Sequence, residues 1–266
     1  MVTAAALLAA VGAFAGGIVL GLRRRRRALL ALAPLSAAVV AVRVAFSLWP
    51  LLPVTLLPFD FYPAIETWWA WPFGLFLCGV GVAFLPSLLT RDIALVAIGL
   101  GLVYFSAAAW GESFGGTGRL KGEVNEAGVC EQTSFYSCGA ASAAMLLHSY
   151  GIRATEREMA ERCRTHYMYG TSLSGFVRGL AWSIPEGREG VRAARLTFEE
   201  LQALDRPCIA VIRMAPIANH AVVVDGMRGD YLRVRDPRGV TQDVPRARFE
   251  GQWVGYVVWL TAPQGG

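Results

Sequence analysis

Charge is scarce in this 266-residue sequence: Asp, Glu, Lys and Arg make up 17% of it against 55% hydrophobic residues, too little for an ordinary soluble domain of this size. Lysine is almost missing. The single one, Lys121, follows Leu120, so no Gly-Lys-Ser/Thr is present to cradle nucleotide phosphates, and a phosphate-binding-loop motor is excluded. The few charges are also unevenly shared: residues 1–110 carry seven basic and three acidic side chains, residues 111–266 eighteen and seventeen. Most of the net charge of +5 is therefore the run Arg23 to Arg27, and the nearly neutral second half offers no basic face for nucleic acid. Histidine occurs three times and cysteine five times. The gap from Cys130 to Cys138 is wider than the two to four residues of a structural zinc knuckle, which argues against a metal site made of Cys130, Cys138, Cys163 and His166.

What is abundant in the first half is uninterrupted apolar sequence. Residues 3–22 are uncharged throughout, and a helix needs about 20 such residues at about 1.5 Å each to cross the hydrocarbon core. Further candidate spans lie at 28–49, 70–89 and 93–110, divided by the arginine run, by the Pro- and aromatic-rich stretch from Trp49 to Trp69, and by Arg91-Asp92. The positive charges follow the first apolar run instead of preceding it, so that run is expected to be retained and not cleaved as a signal peptide. Basic residues in the first and third connections, and none in the 50–68 connection, place those two loops in the cytoplasm and the second half outside, in a cytoplasmic membrane. Arg43 falls toward the outer interface, where it can snorkel, and Trp49, Trp68, Trp69 and Trp110 fall at outer ends. No Asp, Glu or His lies inside a span, so this half reads as an anchor and not as a transport path.

From Gly111 to Gly128 the sequence turns to Gly, Ser, Thr and charge without apolar periodicity, and a linker is expected there, followed by a folded domain over 129–262. Cys138–Tyr150 is Ala- and Leu-rich at helical spacing, Thr155–Glu158 and Thr197–Glu200 match the capping box that opens a helix, and a further helix is expected from Ser172 to Trp182. Four short stretches rich in Val, Ile and Tyr, at Cys208–Met214, His220–Asp225, Tyr231–Arg235 and Val254–Leu260, predict strands. Helices first and strands after argue for an α+β domain.

Cys138 stands at the N-terminus of its helix, where unpaired N–H groups and the dipole favour thiolate over thiol. Of the three histidines, His148 is about 15 Å along the same helix and cannot reach it. His166 falls in a loop, where solvent is its natural partner. His220 opens the strand His-Ala-Val-Val-Val, and Asp236 ends the next strand in Asp236-Pro237-Arg238-Gly239, so neighbouring strands can bring carboxylate and imidazole together. Each also has a structural alternative, a packed thiol, a satisfied histidine and a turn-forming aspartate. Gln132 could share the binding of a developing oxyanion with the Cys138 backbone N–H.

In this order, Gln132-x5-Cys138-Gly139, the small-residue helix, Gly170-Thr171-Ser172, Leu196–Leu204, His220-Ala-Val-Val-Val and Asp236-Pro237-x-Gly239 resemble the bacteriocin-processing, double-glycine cysteine peptidase family, from about Val129 to Leu260. The resemblance implies a papain-like fold. It also implies that Cys138 is the nucleophile, His220 the general base and acid, Asp236 the residue orienting the imidazole and Gln132 the oxyanion donor. The implied reaction is peptide-bond hydrolysis through a thioester acyl-enzyme, on a peptide or protein substrate, with no metal, nucleotide or organic cofactor. Ser137 departs from the Asp common at that place, the ATPase that accompanies many members is absent, and the adjacent Gly-Gly pairs of this chain are no more than chance supplies. A catalytically silent peptide-binding module and an acyl transferase using the same thiol are the alternatives, and Cys130 and Cys163 are either buried thiols or a disulfide.

Overall fold

The computed structural model describes residues 2–22, 26–57, 71–85, 87–100, 116–167, 169–215 and 218–261. They cluster into two compact units, one drawn from residues 1–52 and 63–114 and the other from 53–62 and 115–266.

The first unit is helical. Helices α1 (Val2–Leu22) and α2 (Arg26–Leu48) precede a short α3 (Leu51–Leu56), whose residues from Pro53 on cluster with the second unit, and α4 (Trp71–Ala83) is followed by α5 over residues 88–100. Ala31–Leu48 is long and apolar enough to cross a membrane, while Ala9–Leu22 and Pro72–Ala83 are shorter apolar stretches. The expected third span, 70–89, ends early, because Pro86 disfavours a helical residue before it and Ser87 starts a new helix by accepting the Thr90 N–H at 3.1 Å. Arg91, expected as a separator, lies inside α5 and donates from Nε to the Leu85 carbonyl at 3.0 Å, closing the exposed end of α4. The remainder of the fourth expected span, 101–110, and Trp68, Trp69 and Trp110 fall outside the described residues. Helices α1 and α4 touch backbone to backbone: a Cβ on Gly17 would lie 2.3 Å from the Phe76 carbonyl oxygen, and one on Gly79 2.2 Å from that of Phe14. Only glycine permits this approach.

The second unit is α+β, helices first. Helix α6 (Cys138–His148) is buried from Gly139 to Leu147, and its small side chains let the sheet come close enough for Ser142 Oγ to donate to the Ala221 carbonyl at 3.0 Å. Capping boxes start α7 (Glu156–Arg162) at Thr155 and α9 (Phe198–Ala203) at Thr197, and Ser172 caps α8 (Leu173–Ala181). One antiparallel sheet follows, in the order β1 (Val191–Arg195), β6 (Trp253–Leu260), β2 (Cys208–Ala215), β3 (Ala218–Arg228), β4 (Tyr231–Asp236), β5 (Val240–Pro245), with α10 (Arg246–Gln252) between the last two in sequence. Its inner residues, among them Ala210, Val222, Val224, Leu232 and Val234, form the apolar core with Phe249 of α10. The central strands β3 and β4 run past each other with Val223 opposite Arg235, so the two ends that carry His220 and Asp236 lie side by side.

Two edge strands, β1 and β5, and helix α10 have no counterpart in the sequence expectations. Edge strands bury few residues, and β5 buries only Val244, so their apolar alternation is faint. Part of the stretch expected as a linker is instead built into this unit. Glu156, fully buried on α7, accepts the N–H groups of Gly122 and Thr133, each at 2.8 Å, together with the Thr133 hydroxyl, and its own N–H donates to the Gly122 carbonyl. A buried carboxylate needs such donors, and they draw residues 120–133 onto the helix.

Candidate active site

Cys138 is the first residue of α6, and no side chain caps that helix, so its terminal N–H groups remain available to the thiol and to a ligand. His220 sits on β3 opposite Ile212, nearly buried, with Nε2 2.8 Å from Oδ1 of Asp236 at the end of β4. That contact commits Nε2 and leaves Nδ1 for the thiol. Burial pushes the Cys138 thiol up, but the hydrogen bond and charge of His220 and the N–H groups of Ala221 and Gly139 pull it down by more, so it ionises below the ordinary range. Burial alone would depress His220, yet its bonds to Asp236 and Cys138 raise it to about 9. Burial would likewise raise Asp236, whereas the His220 and Arg238 donors hold it well below the usual carboxylate range. The three shifts agree in sense and favour a thiolate–imidazolium pair backed by a carboxylate.

Arg238 was not singled out by sequence reasoning, although it lies within the quoted Asp236-Pro237-Arg238-Gly239 turn. Its guanidinium donates from Nε to both oxygens of Asp236, at 3.1 and 3.0 Å, and from Nη2 to Oδ2 at 2.5 Å, while its backbone N–H reaches Oδ1 at 2.9 Å. The backbone bond makes this an Asx turn, closed by Gly239 at φ +90. The same turn touches the fourth expected site residue: the Pro237 carbonyl accepts the Gln132 N–H at 2.7 Å. The Gln132 side chain donates from Nε2 to the Ser134 carbonyl at 2.8 Å, which occupies one of its two amide hydrogens, and Oε1 is buried without a hydrogen-bond partner among the described residues.

The remaining cysteines have other surroundings. Cys130, Cys163 and Cys208 are buried and not joined in a disulfide, and burial pushes the Cys130 and Cys208 thiols each up to about 12. His148 is exposed, and His166 stacks against Tyr167 and Tyr169 instead of standing alone in solvent. Among the described residues no group of three or more His, Cys, Asp or Glu is arranged to hold a metal ion. At the start of α6, a Cβ on Gly139 would lie 2.5 Å from the Thr171 side chain, so this glycine is required where the helix meets the Gly170-Thr171-Ser172 turn.

An α+β unit carrying this cysteine, histidine and carboxylate belongs to the papain-like cysteine peptidases. More particularly, residues 126–264 match the model of the Peptidase C39 family, over half of the chain, and the chain belongs to that family. Among its relatives is the transport/processing ATP-binding protein ComA of Streptococcus pneumoniae, 30% identical over 131 residues, which are 48% of this chain and 18% of ComA. An uncharacterized protein of Methanothermobacter marburgensis is 30% identical over 109 residues, 40% of this chain and 68% of that one. The crystal structure of the peptidase domain of Streptococcus ComA superposes with a TM-score of 0.44 at 22% identity, covering 50% of this chain and 96% of that domain. The chain thus spans about a fifth of the length of ComA.

Proposed function

We propose that this cysteine peptidase is membrane-anchored and hydrolyses peptide bonds through a thioester on Cys138. The observation that carries the reading is the His220–Asp236 hydrogen bond at 2.8 Å, with His220 lowering the Cys138 thiol and the thiol in turn helping to raise the imidazole. The Cys138 thiolate attacks the scissile carbonyl carbon. The oxyanion that forms meets the Cys138 N–H and the second amide hydrogen of Gln132. Imidazolium His220 then gives its proton to the leaving amine, the C–N bond breaks, and a thioester remains. Water attacks that thioester as His220 takes a proton from it, and the acid product departs with the thiolate–imidazolium pair restored. Asp236 holds the ring through Nε2 so that the other nitrogen stays aimed at sulfur.

The substrate is a peptide with small residues such as Gly-Gly before the scissile bond, a reading supported by family membership and by the processing role in the name of the ComA relative. The anchor comprises four spans within residues 1–110, and the peptidase domain takes in the expected linker from Gly115 on as well as residues 129–262. Its support is the apolar surface of the helices, on which Leu35, Leu88, Val96 and Leu100 are all exposed, Leu88 by 76%. The run Arg23 to Arg27 between the first two spans, together with Arg91 in the first turn of α5, supports a peptidase domain on the extracytoplasmic side. Incubating the detergent-purified chain with internally quenched peptides that differ only in Gly-Gly or Leu-Leu before the cut, and weighing the products, tests the reading. Cleavage after Gly-Gly, lost in Cys138→Ala, is expected. An amide product with an added amine would mean transfer, and no cleavage would favour a silent binding module.

A further inference from the structure

Behind the Asp236 carboxylate lies a second feature that the peptide-cleaving chemistry does not use. A cavity of about 90 Å³ opens between β2, the end of β4, β5 and α10, with Asp236, Arg238, Gln242, Arg248 and Gln252 among its lining and Met214 at its side. Its floor is the apolar core of the sheet, since Val222, Val234, Val244 and Phe249 close it from below. The charges do not cancel. Asp236 is consumed by His220 and Arg238, so its negative charge is already matched, whereas Arg248 has no hydrogen bond or ion pair with any described residue. Two glutamine amides stand beside that free guanidinium and can donate or accept as required.

We propose that this cavity is a subsite for a carboxylate side chain of the peptide beside the scissile bond, with Arg248 as its partner. Three features of the site support this. An unmatched guanidinium over an apolar floor suits an acidic side chain, whose methylene packs below while its carboxylate takes two parallel N–H bonds. The volume admits one side chain and not a folded segment. The cavity shares Asp236 with the His220 contact, so a side chain that fills it belongs to a residue close to the bond that Cys138 attacks. This assignment rests on the peptidase reading.

The test uses the full-length Cys138→Ala chain in detergent and two fluorescein-labelled peptides that differ only in Glu or Gln directly after Gly-Gly, with binding read by anisotropy. The Glu peptide should bind about fivefold or more tightly, with the advantage reduced by added salt, and Arg248→Gln should bring the ratio to about one. Arg248 is exposed on α10, so that variant should fold, and Arg248→Lys should restore part of the ratio. Equal binding of the two peptides, or a preference that survives Arg248→Gln, would overturn the assignment. Turnover by the Cys138 enzyme is measured separately: a charge preference in binding without any cleavage would count against the peptidase reading and leave the subsite standing.

Discussion

His220 Nε2 and Asp236 Oδ1 lie 2.8 Å apart, both almost wholly buried, on strands that pair in register sixteen residues apart in the chain. The contact orients the imidazole and supplies the negative charge that keeps it protonated. Replacing Asp236 by Asn keeps the shape and removes that charge, so the raised ionisation of His220 should fall from about 9 toward the ordinary histidine range. Peptidase kcat/KM should drop on the order of a hundredfold, with the alkaline limb of its pH profile moving to lower pH. An unmoved limb would mean that Asp236 only packs against the ring.

Arg238 draws on the same carboxylate from the other side. Its removal in Arg238→Met frees Asp236 to interact more fully with His220, and the alkaline limb should move upward, opposite to the Asp236→Asn shift. Because the guanidinium is half exposed, the loss of stability should stay within about 1 kcal/mol. Kinetic pH profiles and denaturant titrations of the two variants side by side separate these effects.

The protonation of His220 also ties stability to pH. Its folded-state value lies above the unfolded one, so its contribution is complete below the ordinary histidine range and is lost as pH rises through about 9. Asp236 acts in the reverse sense: its depressed value gives stability present above the ordinary carboxylate range and lost as the pH falls below it. Thermal unfolding of His220→Ala should therefore depend less on pH between 7 and 10, roughly, than that of the parent chain.

Glu156 supports the segment that carries Gln132. Glu156→Ala leaves the Gly122 and Thr133 N–H groups without their acceptor and should cost about 2–4 kcal/mol, read as a lower denaturant midpoint by intrinsic fluorescence. An unchanged midpoint would show that water replaces the carboxylate.

In the helical unit, an ideal Cβ on Gly21 would lie 2.6 Å from that of Ala83. A Gly21→Cys, Ala83→Cys pair in a Cys78→Ser background should cross-link on mild oxidation once the helices separate by about 1 Å, to the roughly 3.5–4.5 Å between Cβ atoms that a disulfide spans. Adding Gly79→Leu, which forces the helices apart at Phe14, should abolish the cross-link.

Much of the site could be read from the chain because its residues sit at element boundaries that leave a sequence mark. Cys138 follows a polar stretch and opens a run of small residues, and Asp236 stands before Pro237 at a strand end. The strands β2, β3, β4 and β6 announced themselves through Val and Ile because they are central and buried. The edge strands did not, since solvent on one side removes the alternation. Arg238 and Glu156 were missed for a different reason: their roles depend on partners that the fold supplies, a carboxylate two residues away turned toward the guanidinium and N–H groups more than twenty residues upstream. The break between α4 and α5 was displaced because the charge at Arg91 is more conspicuous than the Pro86-Ser87 start signal, and a charged side chain can lie within a helix when it reaches the carbonyls of the preceding one.

The central claim is that His220 holds Cys138 as a reactive thiolate. Alkylation of each cysteine by iodoacetamide across a pH series, in the detergent-purified and reduced chain, measures this directly, with His220→Ala as control. Cys138 should react fastest and already well below about pH 8.5, and His220→Ala should remove that advantage. If Cys138 instead reacts no faster than the buried Cys163 and Cys208, or keeps its rate without His220, the pair is not assembled and the account fails.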